Sequence, residues 1–460
     1  MTSTARLFGV VLFLLSQHLS NAAEPARPNV LLLMADDWRA DCLGVLGHPV
    51  VKTPNIDALA KRGMLFESAY CLGSNSGAVC RPSRNMFLSG KTYFRWRGPD
   101  APAEDSSFPA VMKTAGYETW HCGKRGNTAI PIQTQFEHNN YINENQERNS
   151  GHPGREVTEQ ALDFLAKRDA KRPFFMYLGY ETPHDPRVPT TEDAADYAKQ
   201  SIPLPKNFMP QHPFNNGEMT VRDEQLLPWP RPEEALRDEL RAYYGAMTGL
   251  DREIGRLLAD LAKRGQLDNT IVIFSSDHGL AMGSHGLLGK QNLYENGMHS
   301  PLIFAGPQIP AGKTPALAYL IDLLPTVCGL TGTKIPADLD GVNLTPVIQG
   351  KEKQVRDTLF TAYRDVQRAV RDERYKLIVY PQINRTQLFD LQNDPDEMQD
   401  LSNDAAMKPI QDRLRGQLKD LQERYGDTQP LSVAQPKSGE FVPPGKAPGK
   451  EPAKKGKKAA

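Results

Sequence analysis

Asn29-Val30-Leu31-Leu32-Leu33-Met34-Ala35-Asp36-Asp37 is a mostly apolar, non-alternating run closed by two carboxylates. A half-exposed strand alternates apolar and polar residues, whereas a run without alternation suits a central strand covered on both faces. Working outward, Thr53 to Arg62 reads as a helix, with Thr53 placed to cap it and Pro54 at the first helical position. A second helix is expected from Val157 to Lys167, leading into the strand-like Pro173 to Leu178, and a long one from about Glu233 to Lys263. Strands follow at Thr270 to Phe274 and Pro301 to Phe304. Strands alternating with helices predict an α/β fold with a large, mainly parallel sheet flanked by helices.

Past residue 350 the pattern changes. Leu359 to Tyr363, Ala369 to Tyr380 and Leu388 to Leu391 read as short antiparallel strands, and Met407 to Tyr425 as a last helix. The expected organisation is a catalytic domain over 24–350, a smaller C-terminal α+β domain over 351–425, and a Pro/Gly/Lys-rich disordered tail over 426–460. Thr191 to Pro232, also rich in proline, reads as a long irregular surface excursion.

Bulk properties narrow the function. The 460 residues are 39 % apolar, and 55 lysines and arginines balance 55 aspartates and glutamates. A net charge of zero calls for neither nucleic acid nor a membrane surface as partner. Residues 1–23 read as a signal peptide: Arg6 is the positive region, Leu7 to Leu15 the apolar one, and Asn21-Ala22-Ala23 the cleavage site. The apolar run is too short to span a bilayer as a stable helix. Export to a periplasm or beyond is expected, an uncleaved anchor being the alternative. The five cysteines (Cys42, Cys71, Cys80, Cys122, Cys328) are sparse and odd in number, which implies no disulfide framework, and their spacing fits no zinc pattern.

Two strands end in chemistry. The first ends in Asp36-Asp37, the later one in Ser275-Ser276-Asp277-His278-Gly279. Ligands of parallel sheets bind at the carboxyl ends of the strands, so three carboxylates and an imidazole converge on one place. Such an oxygen-rich set suits calcium or magnesium better than zinc; either cluster alone reads more readily as turn caps, and their repetition at two strand ends favours the metal. In Cys80-Arg81-Pro82-Ser83-Arg84, Pro82 suits a first helical turn. That places Cys80 at a helix N-terminus, which favours anions, with Arg84 one turn on.

This pentapeptide resembles the signature that sulfatases present to the enzyme converting its cysteine to formylglycine, and Leu88-Ser89-Gly90 continues it. The resemblance runs through Asn29 to Asp37, Thr53 to Ala60, Gly123-Lys124, Pro183-His184, Ser276 to Gly279, Gly289-Lys290 and Leu388 to Leu391 with Asn393-Asp394-Pro395. The chain is thus similar to type I sulfatases of the alkaline phosphatase superfamily.

The resemblance implies that Asp36, Asp37, Asp277 and His278 hold one calcium ion, with oxidised residue 80 completing the shell. Many family members have asparagine where this chain has His278. Hydrated formylglycine would offer two hydroxyls, one attacking sulfur, with Asp277 as base, and the other expelling sulfate afterwards. Arg84 would hold the hydrate, Lys124 and Lys290 would bind sulfate oxygens, and His184 would protonate the departing alcohol. The implied partners are a sulfated small molecule or glycan and the formylglycine-generating enzyme. The family usually has a histidine two or three residues after the lysine matching Lys124. Gly126 and Asn127 stand there instead, leaving His121, His299 or a water for its task. A phosphate or phosphonate monoester hydrolase and an inactive sulfated-glycan-binding relative are the alternative readings.

Overall fold

The computed structural model describes residues 27–126 and 129–444. The expected signal peptide, Asn127 and the lysine-rich end after Pro448 lie outside the described residues. The strands, in chain order, are β1 (Asn29–Ala35), β2 (Met64–Tyr70), the two-residue β3 (Gly73–Ser74), β4 (Glu118–Gly123), β5 (His138–Tyr141), β6 (Phe174–Gly179), β7 (Thr270–Ser276), β8 (His299–Ala305), β9 (Gly312–Tyr319), β10 (Leu359–Tyr363), β11 (Gln367–Arg371), β12 (Tyr375–Tyr380) and β13 (Arg385–Asp390). Eight of them form one sheet in the order β5-β4-β6-β1-β7-β8-β2-β9. Its β5-to-β7 half is parallel, and β8 runs antiparallel to both its neighbours.

The central strand behaves as its sequence demands. Val30, Leu32 and Met34 pack into the core on one face of the sheet, and Leu31, Leu33 and Ala35 into the core on the other. Burying each such leucine contributes roughly 1.5–3 kcal/mol. In β7, Ile271 and Ile273 face one core, Val272 and Phe274 the other. Helices cover both faces: Pro54–Lys61, Arg155–Lys167 and the 31-residue Glu233–Lys263 on one, Cys80–Ser89, Phe108–Thr114 and Leu323–Thr331 on the other. Thr53 does not cap the first of these with its side chain. Its hydroxyl instead donates to Asp57 and accepts from the Gly44 N–H.

Register places the chemistry. Ala35 pairs with Ser276 and Met34 with Gly179, while Gly179 also pairs with Gly123. Four adjacent parallel strands therefore stop at one level, and the residues just beyond them (Lys124, Glu181, Asp36-Asp37 and Asp277-His278) share one edge of the sheet.

The second sheet, β13-β12-β11-β10-β3, is antiparallel except at its edge. There β10 pairs in parallel with β3, which precedes Cys80 in the chain. A Cβ at Gly73 would lie 2.0 Å from the Ala362 carbonyl oxygen, so this close approach requires glycine. The helix Lys408–Tyr425 covers the sheet through Leu414, Leu418 and Leu421.

Two expectations need correction. Residues from Gly426 to 444 are not a disordered tail. Asp427 is buried against the Arg368 guanidinium (2.6 and 2.9 Å), Lys437 N–H donates to the Gln382 carbonyl, and Phe441 packs on Trp229. Its prolines prevent regular pairing but not single bonds to neighbouring backbone. Nor is 191–232 merely a surface excursion. It contains the helix Thr191–Ala198, capped by the Thr190 hydroxyl, and the 3₁₀ turn Arg222–Leu226. His212, Phe214, Asp223, Glu224 and Arg231 are all buried. Its polar side chains find partners on loops distant in sequence, which periodicity does not reveal.

Candidate active site

Cys80 opens the helix Cys80–Ser89 and is fully buried. Its Sγ lies 3.2 Å from Asp36 Oδ1, 3.1 Å from His278 Nε2, 3.4 Å from Lys290 Nζ and 4.0 Å from Asp37 Oδ1. Arg84, one turn along the same helix, donates through Nε to Asp277 Oδ2 at 3.0 Å and places Nη2 3.2 Å from Asp36 Oδ2. Ser83 Oγ donates to the Asp277 carbonyl at 2.6 Å, fastening helix to strand end. Room for the guanidinium comes from Gly179, where a Cβ would sit 3.2 Å from Arg84 Nη1.

The remaining residues close around this centre. Lys124 Nζ donates to Asp36 Oδ2 at 2.6 Å and lies 3.7 Å from Glu181. Lys290 Nζ donates to both oxygens of Asp37, at 2.8 and 3.2 Å. Asp37 has φ 71°, a left-handed conformation costly for a non-glycine residue. Its carbonyl accepts from Tyr243 Oη (2.6 Å) and its N–H donates to Asp277 Oδ1 (3.2 Å), so the surroundings hold the turn. His184 approaches Asp37 from the loop after β6. All nine residues singled out from sequence thus gather in one cluster.

Electrostatics explains how so many buried charges coexist. Burial alone would raise the Asp36 carboxyl, but Lys124 and Arg84, with His184 and Lys290, hold it well below the usual carboxylate range. Burial works against the Lys290 ammonium too, yet Asp37 leads the negative groups that keep it charged. Burial, then Asp36, pushes the Cys80 thiol well above its ordinary range. A thiol held in its protonated form by burial is a poor nucleophile. Burial, then Lys290, lowers the His184 imidazole well below its ordinary value. Its Nδ1 faces the Asp185 carbonyl at 2.6 Å, which leaves Nε2 free.

Donor atoms of Asp36, Asp37, Cys80 and His278 all lie within 4.8 Å of one another. His278 Nδ1 donates to the Gly279 carbonyl at 2.8 Å, which fixes the ring so that Nε2 faces the centre. The two carboxylates of this set, both from the end of β1, suit a hard divalent cation, while Asp277 is not among these four and pairs with Arg84. The thiol at position 80 is the misfit, and an oxygen-bearing side chain there would complete the set.

The other histidines fall elsewhere. His121 packs on Tyr177, pairs with Asn139, and is pushed by burial down to about 3. His285 stacks on Tyr294. His299 stacks on Tyr70 and lines a cavity of about 720 Å³ with Glu295, Arg371 and Glu397, whose walls include none of the nine residues. Gly126 donates its N–H to Glu144. Sequence reasoning missed Glu181, beside Lys124, although it stands two residues past the end of β6 and directly precedes Thr182-Pro183-His184.

Residues 28–333, two thirds of the chain, match the sulfatase family, and residues 283–424 match the C-terminal region of N-sulphoglucosamine sulphohydrolase. The chain belongs to the sulfatase family. This sulfatase is a sulfuric ester hydrolase of the alkaline phosphatase superfamily. It is 26 % identical to an N-acetylglucosamine-6-O-sulfatase of Bacteroides thetaiotaomicron, over 88 % of each chain. Its fold is shared by a solved structure bound to its substrate D-glucosamine-2-N,6-O-disulfate (TM-score 0.73, 24 % identical, 88 % of this sulfatase and 99 % of that chain). A phosphonate monoester hydrolase of Agrobacterium radiobacter is equally alike in fold (TM-score 0.75, 22 % identical, 87 % and 96 %). Among the described residues no helix is long and apolar enough to cross a membrane.

Proposed function

We propose that this sulfatase hydrolyses sulfate monoesters on a sulfated carbohydrate outside the cytoplasm, using formylglycine made from Cys80 and one calcium ion. The observation that carries the reading is Cys80 Sγ at the helix start, facing Asp36, Asp37 and His278 with Lys290 3.4 Å away. A sulfatase needs a nucleophile where that buried thiol stands. Oxidation by a formylglycine-generating enzyme supplies a hydroxyl oxygen in its place. Calcium, held by Asp36, Asp37, Asp277 and His278 with residue 80, would draw charge from the ester oxygens.

The chain's own groups do the rest. Arg84 bridges Asp36 and Asp277 and fixes both carboxylates around residue 80. Lys124 and Lys290 bind the non-bridging oxygens of the ester, trading part of their carboxylate pairing for the new anion. His184 Nε2 is free to donate a proton to the leaving oxygen. Burial first, then Lys290, holds its imidazole low, and an ester anion entering beside it offsets part of that and favours the protonated form. His184→Ala is therefore expected to slow sulfates of poor alcohol leaving groups by about 10²-fold or more. An aryl sulfate with an acidic phenol should lose far less. Equal losses on both substrates would remove His184 from the acid role.

Support for a carbohydrate substrate comes from relatives that act on sulfated sugars, including a second Bacteroides thetaiotaomicron protein, a Δ4,5-hexuronate-2-O-sulfatase 26 % identical over 87 % of this chain. Export agrees with the signal-like start of the sequence. The fold shared with a phosphonate monoester hydrolase keeps phosphorus esters as the second reading. Turnover of matched aryl sulfate and aryl phosphate decides between them. Faster sulfate turnover is expected, and faster phosphate turnover would overturn the proposal.

A further inference from the structure

His184 and Lys290 both sit on loops, and one short turn in the segment 191–232 reaches the two of them. Glu224 is 3 % exposed. Its Oε1 accepts from the N–H groups of Leu288 (3.0 Å) and Gly289 (2.8 Å), and its Oε2 lies 3.1 Å from the Leu288 nitrogen. The Arg231 guanidinium pairs with the same carboxylate and donates to the carbonyls of Glu224 and Gly286. This draws both ends of the 286–289 loop together. Next door, Asp223 Oδ2 accepts from Gln291 Nε2 (2.9 Å), and Gln291 Oε1 accepts the Lys290 N–H (3.0 Å). Three successive backbone N–H groups, 288 to 290, thus hang directly or through one side chain on two adjacent carboxylates. Arg222 reaches the other way. It donates to Asp223 Oδ1 at 2.7 Å and pairs with Asp185, whose carbonyl faces His184 Nδ1.

We propose that Arg222, Asp223 and Glu224 form a clasp that sets the two substrate-facing loops relative to each other, with Glu224 the positioning residue for Lys290 and Arg222 that for His184. A buried carboxylate is expensive unless fully hydrogen-bonded. Burial pushes the Glu224 carboxyl up to about 7 against Arg231 and the two N–H groups. Packing alone would be served as well by an apolar residue, whereas several directed bonds to one loop fix its position.

The inference rests on the reading that Lys290 touches the ester, and a double-mutant cycle keeps the two apart. The full chain, matured to formylglycine, is assayed on an aryl sulfate as Lys290→Ala, Glu224→Ala, Glu224→Gln and the double variants. Lys290→Ala should lower kcat/KM by about 10²-fold, and Glu224→Ala by about 10-fold or more. Glu224→Gln keeps the shape but turns one N–H₂ toward backbone donors, so it also loses activity and serves if the alanine variant does not fold. Removing Glu224 in the Lys290→Ala background should cost almost nothing further, because it acts through the missing lysine. Losses that multiply in the double variant, or full activity in Glu224→Gln, would overturn the clasp. A silent Lys290→Ala would instead overturn the role given to Lys290.

Discussion

Cys80→Ser is expected to lower steady-state turnover of sulfate esters by at least about 10⁴-fold, the scale of losing a nucleophile. The substitution is nearly isosteric and should cost less than about 1.5 kcal/mol of stability, so loss of fold would not explain the result. Serine offers one hydroxyl where a hydrated aldehyde offers two. It can attack sulfur once but has no second hydroxyl to expel sulfate, so at most one turnover per chain is expected. A rapid-mix assay with an aryl sulfate reads this directly. Undiminished steady turnover by the serine variant would contradict the role of residue 80.

The second large effect concerns Arg84. Its guanidinium is completely buried and shared by Asp36 and Asp277, at 3.2 and 3.0 Å. Arg84→Met fills much of the same volume but leaves two buried carboxylates without their common cation. Removing one partner of a buried charge pair typically costs about 3–5 kcal/mol. Denaturant unfolding in divalent-free buffer should show a loss of that size, together with loss of sulfatase activity. Unchanged stability would mean that Lys124 and Lys290 suffice to balance the cluster, and that Arg84 serves only the chemistry.

Much of this centre was legible because each part announces itself locally. Val30 to Ala35 and Ile271 to Phe274 are apolar without alternation, as strands buried on both faces must be, and the carboxylates that follow each can only lie at their shared ends. Cys80 with Pro82 and Arg84 signals a helix start. Strands without that signature were invisible. Within β4, Glu118-Thr119-Trp120-His121-Cys122-Gly123 looks like neither an apolar run nor an alternating one, though it is buried throughout. In β9, Pro315 masks the pattern, as prolines do in edge strands. Pairings across long sequence distances were equally silent. Nothing near Asp427 points to Arg368, nor anything near Glu224 to Leu288 and Gly289. The proline-rich stretches therefore read as loose when they are tied down by single, directed bonds.

Peptide mass spectrometry across residues 80–84 of catalytically active protein reads the chemical state of residue 80. Residue 80 is expected to have lost its sulfur and to carry an aldehyde oxygen, in a fraction that tracks specific activity. Fully active protein with an intact Cys80 thiol would contradict that expectation.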